Sequence, residues 1–251
     1  MIDVQNLHKA YDRTIAVEGL SFTVAAGQIL GLVGPNGAGK TTTMRAISGI
    51  LPFAEGRITV AGYNVEGDAI EVKRRLAYLP DEPQLFPDLS VEQHLAFIAS
   101  VYDVPDAREK AGRLLDEFHL ASHCKKVGGS LSRGMRQKLA ICCAYLYDPA
   151  ALLFDEPLTG LDPHGIRTFK RSVQERAERG AAVIVSSHLL AMVEDICTHV
   201  LVLAEGKAKF LGPLAELRAK FAEQESEASL ENVFFRATGE TAVAEAPATA
   251  F

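Results

Sequence analysis

The run Gly34-Pro35-Asn36-Gly37-Ala38-Gly39-Lys40-Thr41 satisfies every position of the pattern G-x-x-x-x-G-K-[ST]. The chemistry such a run can do is phosphate binding. Its glycines let consecutive backbone N–H groups curl around phosphate oxygens with no Cβ in the way. The helix that should follow adds its own oriented N–H groups. Lys40 would supply a point charge at the β- and γ-phosphates, and Thr41 a hydroxyl for Mg²⁺. A second run, Leu152-Leu153-Phe154-Asp155-Glu156-Pro157, ends an apolar stretch in two adjacent carboxylates. Met alone, that is a strand leaving into an acidic turn. Downstream of a triphosphate loop it gains a purpose. Asp155 would hold Mg²⁺, directly or through its water, and Glu156 would orient and polarise the attacking water as general base.

These residues need elements to place them. Residues 28–33 form a short apolar run that predicts a strand delivering the glycine loop, and residues 41–50 predict the helix behind it. Ile2, Val4 and Leu7 suggest an opening strand, and Leu20, Phe22 and Val24 alternate as a second. Further strands are expected at 56–60, 76–79, 182–185, 200–203 and 207–211. Between them the texture changes. Ser90 is placed to cap a helix carrying Val91, Leu95, Phe97 and Ile98. Pro105 opens another, and Ser132 precedes a third that runs to about Tyr147. Residues 88–147 thus read as a helical lobe set into an α/β core. Helices over 166–179 and 189–196 alternate with the later strands, which argues for a mainly parallel sheet covered on both faces. Residues 213–236 are charged and helical in pattern, and a frayed tail is expected from about residue 238.

Composition narrows the classes. The chain has 251 residues, with 26 Lys plus Arg against 32 Asp plus Glu, so its formal net charge is −6. Proteins that coat nucleic acid are usually basic, so none is expected as the main partner. Of four cysteines, Cys142 and Cys143 are adjacent and none forms a C-x-x-C pair, which excludes a disulfide scaffold and leaves zinc without support. His8, His94, His119, His123, His164 and His199 show no metal-ligand spacing. The longest uncharged stretch, 19–39, is broken by Gly27, Gly31, Gly34, Pro35 and Gly37, so no spanning helix is expected there. The start Met-Ile-Asp-Val-Gln lacks the pattern of a signal peptide. The expected location is cytoplasmic.

The order of motifs resembles the nucleotide-binding subunit of an ATP-binding cassette (ABC) transporter. Tyr11, Gly34 to Thr42, Leu131-Ser132-Arg133-Gly134-Met135, Leu152 to Glu156, Gly160-Leu161-Asp162 and Ser187-His188 carry the likeness, over roughly residues 1–212. It implies a P-loop NTPase (RecA-like) core with an N-terminal antiparallel β subdomain and an inserted helical lobe. A C-terminal extension, residues 213–251, would follow. It implies ATP and Mg²⁺ as ligands, with the phosphate loop residues Asn36, Gly37, Ala38, Gly39, Lys40 and Thr41 around the phosphates. Thr42 would stand beside the α-phosphate, and Tyr11 would stack on adenine. Ser132 and Gly134 would meet the γ-phosphate held by a second subunit. Asp162 would cross between the two sites, and His188 would contact the γ-phosphate and help hold the water and Glu156.

The likeness has departures. Arg133 and Met135 replace members of the Leu-Ser-Gly-Gly-Gln signature, and the run to Gln137 resembles exporters of the ABC-2-like type. So does the short helix expected at Ser229-Leu230-Glu231-Asn232-Val233-Phe234-Phe235. Asp81 occupies a place where the family usually has a Mg²⁺-touching glutamine, although a register offset could bring Glu82 or Gln84 inward. The resemblance implies two partners: a second cassette, most simply an identical chain docked head to tail, and a separate transmembrane permease holding the subunit on the cytoplasmic face of the membrane. The permease would meet the region 81–91, where Phe86, Leu89 and Phe97 are contacts or ordinary lobe core. Two other readings stay open, a soluble cassette ATPase acting on nucleic acid or the ribosome, and a non-hydrolysing regulatory cassette.

Overall fold

Apolar runs without alternation are buried on both faces, and in this chain they decide the architecture. The computed structural model describes residues 1–187 and 190–217, apart from the side chain of Leu190. His188, the terminal helix expected at 229–235 and the tail lie outside the described residues. The chain opens with β1 (Ile2–Tyr11) and β2 (Thr14–Val24), then β3 (Ile29–Val33), which feeds α1 (Lys40–Ile47). Next come β4 (Glu55–Val60), β5 (Tyr63–Asn64), α2 (Ala69–Arg75) and β6 (Leu76–Leu79). The helical stretch is α3 (Val91–Val101), α4 (Ala107–Glu117) and α5 (Arg133–Tyr145). After it run β7 (Ala151–Asp155), α6 (Pro163–Glu178), β8 (Ala182–Ser186), α7 (Leu190–Ile196), β9 (His199–Ala204) and β10 (Lys207–Pro213).

β3, β7 and β8 are buried at every position. They lie inside a sheet of order β10-β9-β3-β8-β7-β6, parallel throughout except for the β9–β10 hairpin. Because β3, β6, β7 and β8 run the same way, the loops leaving their carboxyl ends emerge along one edge. That edge is where open α/β sheets bind ligands. A second, antiparallel sheet of order β2-β1-β4-β5 alternates buried and exposed residues along β2. Its inner face packs with α1 onto one side of the large sheet: Val4, Leu20 and Ile58 share a core with Met44, Ile47, Leu32, Leu153 and Ile184. On the other side Leu152, Phe154, Val183 and Val185 share a core with Leu139, Ile141, Phe169 and Val193 from α5, α6 and α7. The expected α/β core with its added antiparallel sheet is therefore what forms.

The helical stretch is bound to the sheet by aromatic rings. Tyr145 of α5 meets Phe154 of β7 edge-on at 6.0 Å, and Phe154 meets Phe169 of α6 at 5.1 Å. Ser90 caps α3 with a full capping box: Ser90 Oγ accepts the Gln93 N–H, and Gln93 Oε1 accepts the Ser90 N–H at 2.8 Å. α6 begins three residues earlier than its apolar periodicity suggested, because Asp162 Oδ1 accepts the Gly165 N–H at 2.8 Å and Pro163 suits the first turn. α2 escaped the sequence reading, since only Val72 in it is buried. So did a contact between distant histidines: His119, just past α4, and His164, in the first turn of α6, bring their Nε2 atoms within 2.6 Å. Among the described residues no helix is long and apolar enough to cross a membrane.

Candidate active site

The glycine loop leaves β3 and closes on α1 as the sequence pattern requires. Gly39 has φ 103°, in the left-handed region, and a Cβ there would lie 2.5 Å from the Ala16 carbonyl oxygen. Only glycine fits both demands. The Thr43 N–H donates to Gly39 O at 2.8 Å, starting the helix. Lys40 is folded back under the loop: its Nζ donates to Gly34 O at 2.6 Å and to Pro35 O at 3.1 Å. Burial pushes the Lys40 ammonium down from its ordinary pKa, while the nearby charges of Glu156 and Asp155 act to hold its proton.

Register places the acidic pair. Asp155 at the end of β7 lies beside Ser186 at the end of β8. Ser186 Oγ donates to Asp155 Oδ1 at 2.6 Å and accepts the Glu156 N–H at 3.1 Å. Asp155 is buried. Glu156 takes φ 47°, a left-handed conformation that non-glycine residues seldom adopt. That turn breaks the strand's alternation, so two consecutive carboxylates come to one cavity rather than to opposite faces. Tyr78 of β6 reaches across, its hydroxyl 3.4 Å from Asp155 Oδ2. Burial and the Asp155 charge push the Tyr78 phenol up to about 12, against an opposing hydrogen bond from Arg45.

A cavity of about 380 Å³ gathers the result. Asn36, Gly37, Ala38, Gly39, Lys40, Thr41 and Thr42 line it, with Asp81, Asp155, Glu156 and Ala16. Asp81, carried by the loop after β6, is thus in the cavity, whereas Glu82 and Gln84 line an adjoining groove with Arg133 and Arg136. Tyr11 is exposed at the end of β1 and does not line the cavity, although its hairpin brings Ala16 there. Ser132, Gly134 and Asp162 are also outside it. Ser132 caps α5 by accepting the Met135 N–H at 3.3 Å. Asp162 pairs with Lys138, Nζ to Oδ1 3.1 Å, and the Gly165 N–H followed by Lys138 holds its carboxyl below the usual range. Ser186 and Tyr78 were not foreseen, because neither belongs to a motif and both act through strand register.

The cradle suits a polyphosphate, and the oxygens of Thr41, Asp81 and Asp155 are hard donors of the kind Mg²⁺ takes. Fold and site together define a P-loop nucleotide hydrolase. The sequence profile of the family described as ABC transporter matches residues 17–159. The ABC-type transporter ATP-binding protein EcsA of Bacillus subtilis (strain 168) is 34% identical over 96% of this chain and 98% of its own length. The SkfA peptide export ATP-binding protein SkfE of the same organism is 35% identical over 82% and 87%. A solved structure described as that of the ATP binding subunit of an ABC transporter superposes with a TM-score of 0.89 at 32% identity, covering 94% of this chain and 99% of that one. The chain belongs to the ABC transporter family. It is an ATP-binding subunit, an ATPase whose activity is coupled to transport.

Proposed function

We propose that this subunit powers an exporter with a separate transmembrane permease, through ATP-driven head-to-tail pairing of two identical cassettes at the cytoplasmic face of the membrane. One observation carries the reading. The phosphate loop, Asp81, Asp155 and Glu156 share a cavity, while Ser132 and Gly134 stand outside it at the exposed start of α5. A second chain is then needed to close the γ-phosphate side.

In this reading Thr41 and Asp155, with Asp81, would hold Mg²⁺, which when bound would supply positive charge to offset that of the phosphates. The loop N–H groups and Lys40 orient the triphosphate and stabilise charge on the transferring phosphoryl group. Thr42 stands by the α-phosphate, and Tyr11 covers the adenine. Glu156 takes a proton from water, with His188 holding that water in line. The partner's copies of Ser132 and Gly134 complete the anion site with a hydroxyl and backbone N–H groups. ATP binds the closed pair better than ADP and phosphate do, so hydrolysis shifts the equilibrium towards opening. Export is supported by the likeness to SkfE, a peptide export ATP-binding protein. The permease contact is supported by a groove of about 440 Å³ in which Phe86 and Phe97, 52% and 45% exposed, pack at 5.4 Å. Residues 1–212 would form the cassette and 213–251 its extension.

Glu156→Gln tests the engine. It should abolish hydrolysis, keep ATP binding, and give an ATP-dependent dimer by gel filtration. Unchanged turnover would remove Glu156 as base. Purification from membranes should bring down a permease with apolar spans, and recovery with ribosomes or DNA alone would overturn the transport reading.

A further inference from the structure

Gly134, Gln137 and Lys138 are spaced i, i+3 and i+4 on α5, so they share one face of the helix. That face lies on residues 157–162, the segment directly after Glu156. Each contact is of a different kind. A Cβ on Gly134 would lie 2.5 Å from Gly160 O, so the helix and the loop touch backbone to backbone. Gln137, 2% exposed, donates from Nε2 to Pro157 O at 3.1 Å. Lys138 Nζ lies 3.1 Å from Asp162 Oδ1. The loop is also braced within itself, by Thr159 N–H to Glu156 O at 3.2 Å and Leu161 N–H to Leu158 O at 3.1 Å. Glu156 is therefore held on both sides by side chains. Ser186 takes its N–H, and Gln137 takes the carbonyl of the next residue.

We propose that Gln137 is a positioning residue for Glu156, and that the start of α5 and residues 156–162 move as one body. The inference rests on the paired-cassette reading above and adds a coupling to it. The end of α5 that carries Ser132 and Gly134 meets the partner's nucleotide, while Glu156 serves the chain's own. A rigid link between them makes the base in one site respond to nucleotide in the other. A buried carbonyl facing an amide donor is a directional tether, unlike apolar packing, and fixes the loop's position along the helix.

The test compares Gln137→Met, which keeps length but removes the donor, with Lys138→Met, which opens a partly exposed pair and leaves the core alone. ATP binding, turnover against ATP concentration, and thermal melting are measured on the full chain reconstituted as a dimer. Gln137→Met should lower kcat about tenfold, with the ATP dissociation constant changed less than about twofold and the ATP dependence less sigmoidal. Lys138→Met should shift kcat and sigmoidicity in the same direction by about threefold. Turnover and sigmoidicity equal to wild type in Lys138→Met, or a Gln137→Met chain that melts earlier yet keeps kcat, would overturn the proposal. If Gln137→Met does not fold, Lys138→Met decides alone. Glu156→Gln run in parallel separates the two levels: retained hydrolysis there overturns the assignment of the base itself, whatever the α5 variants do.

Discussion

One hydroxyl organises both carboxylates. Ser186 Oγ spends its proton on Asp155 Oδ1 and its lone pair on the Glu156 N–H. Ser186→Ala leaves a buried carboxylate oxygen and a peptide N–H without these partners. The expected cost is about 1–3 kcal/mol of stability, by urea denaturation, and a fall in turnover greater than any loss of ATP affinity. Tyr78 gives a prediction in pH. Its phenol is held protonated to about 12 in the folded chain against an ordinary 10.0. A raised folded pKa means a contribution that is intact below pH 10 and is lost as pH climbs towards 12. The stability gap between wild type and Tyr78→Phe should therefore narrow across that window, read from urea midpoints at successive pH values. Neither residue was legible as a site residue. A serine or tyrosine in a strand carries no motif by itself. The pairing of Asp155 with Ser186 across β7 and β8 brings in the serine, and the pairing of Tyr78 with Leu153 across β6 and β7 brings in the tyrosine. Lys40, Thr41, Asp155 and Glu156 were legible because their chemistry demands fixed local spacing.

Elements were readable where local signals and burial agreed. β3, β7 and β8 are continuous apolar runs, and α3 has its cap spelled out in Ser90 and Gln93. α2 has neither a side-chain cap nor a wide apolar face, and what holds it is contact with β4, β5 and β6. Such elements exist by tertiary context, which periodicity does not carry. The cap on α3 can be isolated. Ser90→Ala removes the acceptor for the Gln93 N–H and should cost about 0.5–2 kcal/mol, seen as a lowered melting temperature. ATP affinity should stay at the wild-type value, because α3 contributes no residue to the phosphate cavity. A joint loss of stability and ATP binding would mean that the helical stretch and the phosphate loop unfold as one cooperative unit.

At the scale of the molecule, the decisive feature is a division between two ends of one chain. The phosphate loop and carboxylates occupy one cavity, and Ser132 caps α5 outside it. The sequence placed the two motifs about ninety residues apart and implied their meeting across chains only by resemblance, since no local pattern encodes what a second copy supplies. Mixing experiments can decide the arrangement. Lys40→Ala disables the phosphate loop. Ser132→Asp keeps a side-chain oxygen able to accept the Met135 N–H, so the helix cap survives, but in the proposed pairing it would set a negative charge against the partner's γ-phosphate. Each variant alone should be inactive. In a mixed dimer one composite site collects both lesions, and the other combines a sound phosphate loop with a sound signature. With random pairing at equal concentrations half the dimers are mixed and each has one working site, so turnover should rise clearly above that of either variant alone, to at most about a quarter of wild type, and lie below that quarter to the extent that the working site depends on nucleotide in the lesioned one. If each chain instead closed its own site, every site in the mixture would carry a lesion and activity would stay at the level of the single variants.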